Sequence, residues 1–174
     1  MSNQVLSAIS ERRSVRGYKP DPVTDEQLGI MLRAAQESPS ARNEQPWHFT
    51  VVRNKEIIRE VNEEANKNLG DDHGDIFYDA PAVIFISAER GWKWSKLDSG
   101  IAVTNIALAA HSLGLGSVIL GLPDAAFNGP RENYFNKLLK FPENYEFAVA
   151  IAIGAPNTTK EAHPIKPGKI AYVN

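Results

Sequence analysis

Three groups of residues have the side chains and the spacing to do chemistry or to bind. The first is Arg12-Arg13-Ser14-Val15-Arg16, three guanidiniums and a hydroxyl within five residues. A guanidinium fork matches phosphate oxygens two at a time, and a serine adds a donor. A basic patch closing a helix would use the same arginines, because cations favour the C-terminal dipole. The second is Pro39-Ser40-Ala41-Arg42-Asn43-Glu44-Gln45-Pro46-Trp47-His48-Phe49, a polar loop bracketed by prolines. Asn43 and Gln45 each set a donor beside an acceptor. That suits a heterocycle edge alternating in the same way, such as an isoalloxazine pyrimidine; an ordinary turn also favours Ser, Asn and Pro. The third is Leu113-Gly114-Leu115-Gly116-Ser117-Val118-Ile119-Leu120-Gly121. Glycines bracketing a strand mark a close approach of ligand or backbone, or serve as punctuation.

Other chemistries are missing their residues. The 174-residue chain has no cysteine, which removes disulfides, thiol nucleophiles and thiolate metal sites. There is no GxSxG, HExxH or GxxxxGK[ST] pattern, and Gly114-Leu115-Gly116 lacks the third glycine of a dinucleotide fingerprint. Asp71, His73 and Asp75 open like a calcium loop, but Ala82 stands where its closing Glu belongs. The four histidines are scattered. Lys plus Arg (19) nearly balances Asp plus Glu (21), so the global basic field that nucleic acid demands is absent. No apolar run reaches the ~20 residues of a membrane span, and no signal peptide is visible. A single cytoplasmic domain over residues 1–174, with neither nucleic acid nor membrane as partner, is expected.

The elements that must position these groups follow from periodicity. Helical spacing of apolar residues predicts helices over 5–11, 25–37, 55–68, 101–113 and 130–139. Thr24 and Gln27 form a capping-box pattern ahead of the second. The fourth is apolar on most sides and should sit centrally. Strands are predicted over 47–52, 82–88, 117–120 and 147–153, with a β-like end at 170–173. The mixture lacks a regular βαβ rhythm, which points to an α+β fold.

The order and separation of the three motifs, with Tyr18 after the first, resemble the FMN-dependent nitroreductase family, in particular its short-chain members. The resemblance covers essentially the whole chain. It implies a central, mainly antiparallel sheet of four to five strands flanked by helices. It also implies a homodimer with two flavins at the interface and a C-terminal segment reaching the partner subunit. By position, Arg12 and Arg16 would take the phosphate and pyrimidine side of FMN, with Arg13 and Ser14 lining it. Pro39, Ser40 and Asn43 would touch the flavin of the other subunit. The backbone at Leu120 and Gly121 would approach flavin N5. Lys166 and Lys169 would reach the phosphate, though their spacing departs from the commoner Arg-bearing pattern. The apolar tail residues Ile165, Ile170, Tyr172 and Val173 would fray unless docked on a neighbouring subunit.

The resemblance further implies ping-pong transfer of a hydride from NADH or NADPH, through flavin N5, to a small electron acceptor such as a nitroaromatic or a quinone. No side-chain nucleophile is then required. Trp92, Lys93, Trp94 and the 127–134 region, including Phe127, are candidates for the acceptor pocket; core or interface roles suit the same residues. Two other readings stand beside this one. A specialised member would act as a dehalogenase, a heterocycle dehydrogenase or a flavin-fragmenting enzyme. A non-catalytic member would only bind flavin.

Overall fold

The structure, a computed structural model, describes residues 3–173. Helix α1 (Gln4–Glu11) starts at Asn3, whose side chain accepts from the Val5 and Leu6 N–H groups. Helix α2 (Asp25–Gln36) opens with the full capping box, Thr24 and Gln27 each accepting from the other's backbone. Val23 before the cap and Leu28 inside it bury into one cluster, fixing how the chain enters. Helix α3 (Lys55–Leu69) is capped by Asn54 and ends at Gly70, whose φ of 78° is left-handed.

Four strands, β1 (Trp47–Val52), β2 (Ala82–Glu89), β3 (Gly116–Leu120) and β4 (Tyr145–Gly154), make one sheet. Its order is β1-β2-β4-β3, antiparallel throughout. Alternate side chains of β2 face opposite layers. Ile84 and Ile86 join Met31, Ile106 and Ile151 under α2 and α4 (Ser95–Ser112). Val83 and Phe85 join Phe77, Phe127, Phe135 and Phe147 under α3, α5 (Asp124–Phe127) and α6 (Glu132–Leu138). Phe127 stacks on Phe147 with ring centroids 4.7 Å apart. Each such side chain contributes about 1.5–3 kcal/mol by leaving water, so the three-layer α+β arrangement anticipated from the sequence follows.

Helix α4 starts six residues before its predicted beginning, and α5 was not anticipated. The β-like end predicted at 170–173 does not form a strand: residues 170–173 join no ladder. Ile165, Ile170, Tyr172 and Val173 are all largely exposed. Helix α4 ends in a Schellman closure, with Gly114 N–H donating to His111 O and Leu115 N–H to Ala110 O. Gly114 is left-handed there, as its place after the helix requires. That closure turns the chain directly into β3. Helix α4 is central, but not buried on all sides: Leu97 is exposed, Ile101 and Leu108 are half-buried. These residues recur at helical spacing along one uncovered face, beside exposed Val5, Leu6 and Ile9 of α1.

Candidate functional site

The first and third motifs meet on the outer edge of β3. Ser14 bridges Ser117 in parallel register, and Val15 N–H donates to Ser117 O at 2.9 Å. Val15 lies so close over Gly116 that a Cβ there would come within 2.9 Å of its side chain. The Tyr18 phenol locks the segment down, donating to Val15 O (2.8 Å) and Ala152 O (3.2 Å). Burial raises its pKa above the usual tyrosine range. The three arginines divide. Arg13 turns back on α1, donating from Nη1 to Ser10 O and Arg12 O, with its Nε buried and unpartnered. It therefore closes a helix end, as basic residues there tend to do. Arg12 and Arg16 form no ion pair with a carboxylate among the described residues. Arg16 lies over the Tyr78 ring at 5.9 Å. At the far end of β3, Leu120 is buried, while Gly121 is exposed with nothing within 4 Å of the place a Cβ would occupy.

The second motif forms a tight turn at the other end of α4. Arg42, Asn43 and Gln45 all have left-handed φ, 57°, 58° and 50°. Such angles in non-glycine residues cost of order 1–3 kcal/mol each and persist only where neighbours enforce them. Asp98, buried in the first turn of α4, accepts from Ala41 N–H through both oxygens (3.2 and 3.3 Å). Ser40 Oγ accepts from Gln45 N–H at 3.0 Å, and Asn43 Oδ1 from Gln45 Nε2 at 3.3 Å. Sequence reasoning missed Asp98. Asp98 stands just ahead of the alanine-rich run, in a stretch whose composition reads as loop, so no pattern in the sequence flagged it.

Within one chain the second motif does not reach the other two. Trp47 pairs with Ala88 and Ala88 with Glu146, whereas Ser117 pairs with Ile153. The two positions lie seven residues apart along β4 and at opposite edges of the sheet. At about 3.3 Å per residue and 4.8 Å per strand, the separation is roughly 25 Å or more. Lys166 and Lys169 lie on the exposed tail and make no described contact with either region.

Trp92 lies against the second motif, and Trp94 stands at the start of α4, its carbonyl accepting from Asp98 N–H. The Arg42 guanidinium lies over the Trp92 ring at 5.8 Å and the Lys93 ammonium over Trp94 at 4.4 Å. Trp92 O accepts from both the N–H and the hydroxyl of Ser95. The 127–134 region behaves differently. Phe127 is core, and Arg131 donates to Glu60 (2.6 Å) and to buried Glu64 (3.1 Å), a structural network. No His, Asp and Glu cluster among the described residues has the geometry to hold a metal. No described helix is long and apolar enough to cross a membrane.

A profile of the nitroreductase family matches residues 9–72 and 59–155. A protein of Archaeoglobus fulgidus, provisionally named NADH dehydrogenase/NAD(P)H nitroreductase, is 36% identical over 168 residues, spanning 91% of this chain and 88% of the relative. An NAD(P)H-dependent FMN reductase of Bacillus subtilis is 30% identical over 182 residues, spanning 95% and 71%. The crystal structure of a nitroreductase with bound FMN from Desulfitobacterium hafniense superposes with a TM-score of 0.92 at 35% identity, covering all of both chains. The chain belongs to the nitroreductase family.

Proposed function

We propose that the chain is one half of a homodimeric, FMN-dependent NAD(P)H oxidoreductase that reduces small flat acceptors such as quinones and nitroaromatics. The carrying observation is the edge of β3: two guanidiniums with no carboxylate partner where the strand begins, and a glycine that leaves open space just past its other end. Arg12 and Arg16 suit a phosphate, and the Ser14 hydroxyl adds a donor. Gly121 admits a flat ring against the end of the strand. These residues fit FMN, and family membership points the same way.

The site needs a second copy to gain its third wall. Helix α4 carries the second motif near its N-terminal end and feeds the first and third from its C-terminal end. Its 18 residues span about 27 Å. A two-fold axis across the uncovered face of α4 sets the two copies antiparallel. Each N-terminal end then meets the other copy's C-terminal end, and Pro39, Ser40 and Asn43 of the partner subunit face Arg12 and Arg16. The apolar stripe on α4, the open face of α1 and the tail supply surface for this contact. In the dimer, Lys166 and Lys169 of the partner subunit would add charge near the phosphate.

Bound FMN would supply the redox chemistry, taking a hydride from the nicotinamide and passing it to the acceptor. One pocket serves donor and acceptor in turn, which gives ping-pong kinetics. The absorbance spectrum of the purified protein tests the cofactor, and anaerobic NADH or NADPH titration tests the turnover. Arg12→Ala and Arg16→Ala should each weaken FMN binding by roughly ten- to hundredfold, the worth of one charged hydrogen bond. Full, tightly held flavin in both variants would refute the assignment.

A further inference from the structure

The N-terminal end of α4 carries a feature that flavin binding does not use. Two cations each lie on an indole: Arg42 over Trp92 at 5.8 Å and Lys93 over Trp94 at 4.4 Å. Neighbouring cations are consumed by carboxylates. Arg90 pairs with Glu132 and Glu146, and Lys96 with Glu146 at 3.0 Å. Arg42 and Lys93 have no such partner among the described residues, and Glu44, two residues from Arg42, forms no ion pair with either. The carboxylate of Asp98 is buried and committed to Ala41 N–H. The positive end of the α4 dipole, which lacks a side-chain cap at Trp94, adds to the same field. Arg42 is held there at a left-handed φ by a turn that Asp98 and Ser40 enforce.

We propose that Arg42, Lys93 and the two indoles select flat, negatively charged electron acceptors, aryl carboxylates or sulfonates, over neutral ones. The inference rests on the function proposed above, because Arg42 stands between Ser40 and Asn43, which that reading places against the flavin of the other subunit. A cation over an aromatic face gains ~0.5–2 kcal/mol and keeps its outward donors. An incoming carboxylate finds those donors, and its ring finds a π-face beside them. The anionic phosphates of NADPH share part of this chemistry and provide the competing explanation.

The test compares 4-nitrobenzoate with nitrobenzene in the flavin-loaded protein. Arg42→Gln should lower the ratio of their kcat/KM values about tenfold, through the KM for the anion, as loss of a charged hydrogen bond implies. Arg42→Lys should recover part of the ratio. Lys93→Gln should act in the same direction. Tryptophan emission, recorded before any reductant is added, gives a readout independent of turnover. Nitrobenzoate should quench at lower concentration than nitrobenzene, and Arg42→Gln should remove the difference. Equal quenching by the two probes would overturn the selection. So would an Arg42→Gln defect confined to bleaching by NADPH, or equal loss with both acceptors. A protein that nicotinamide cannot bleach would count against the proposed function instead, and the quenching comparison would still decide the anion preference.

Discussion

At the scale of single residues, two glycines that bracket β3 make opposite predictions. A Cβ at Gly116 collides with Val15, whereas one at Gly121 meets nothing and needs no special backbone angle. Gly116→Ala should lower the urea midpoint, because it pushes Val15 away from β3. Gly121→Val should leave that midpoint nearly unchanged while cutting bound flavin, since its methyls would enter the space proposed above for the ring. Flavin content and unfolding curves on both variants check this. His48 supplies a pH effect. Burial holds its imidazole below the ordinary value, with Nδ1 enclosed and unpartnered. Its contribution is full above about pH 6.5 and declines as pH falls, because the unfolded chain then binds more protons. His48→Gln should lose less of its urea midpoint than wild type between about pH 7.5 and 5.5; equal losses would assign the pH response to other groups. The arginine cluster was legible as a charge pattern. The division of labour within it was not, because which guanidinium turns back on a helix end depends on the exit angle from α1.

At the scale of elements, the second motif is rigid because α4 makes it so. Asp98→Ala removes the acceptor for Ala41 N–H and releases three left-handed residues that the turn otherwise enforces. The expected outcome is weaker flavin binding with a smaller loss of global stability, read by FMN titration and urea unfolding. Equal effects on both would mean that Asp98 serves only the core. Four strands and most helix limits were legible from period, and the Thr24–Gln27 capping box marked where α2 begins. The first six residues of α4 were hidden, because Ser95, Lys96, Asp98, Ser99 and Gly100 read as loop by composition. The contact of Asp98 with the loop of the second motif, together with the buried, hydrogen-bonded hydroxyls of Ser95 and Ser99, accounts for a helix there. Helix α5 has four residues, too few to show a period.

At the scale of the whole molecule, the sequence lists the three motifs in order but cannot say how far apart they fold. That distance follows from strand register, which becomes visible only once β1 and β3 are known to be opposite edges. A structural feature of this kind has a genetic signature. Suppose one chain carries Arg12→Ala and another Asn43→Ala, at a flavin concentration too low for either variant alone to bind. Co-expressed, they should complement each other. In the proposed dimer a hybrid pair would have one pocket with both defects and one with neither, so random reassortment would restore about a quarter of the wild-type flavin. Were every pocket assembled from a single polypeptide, blending two defective chains would restore none.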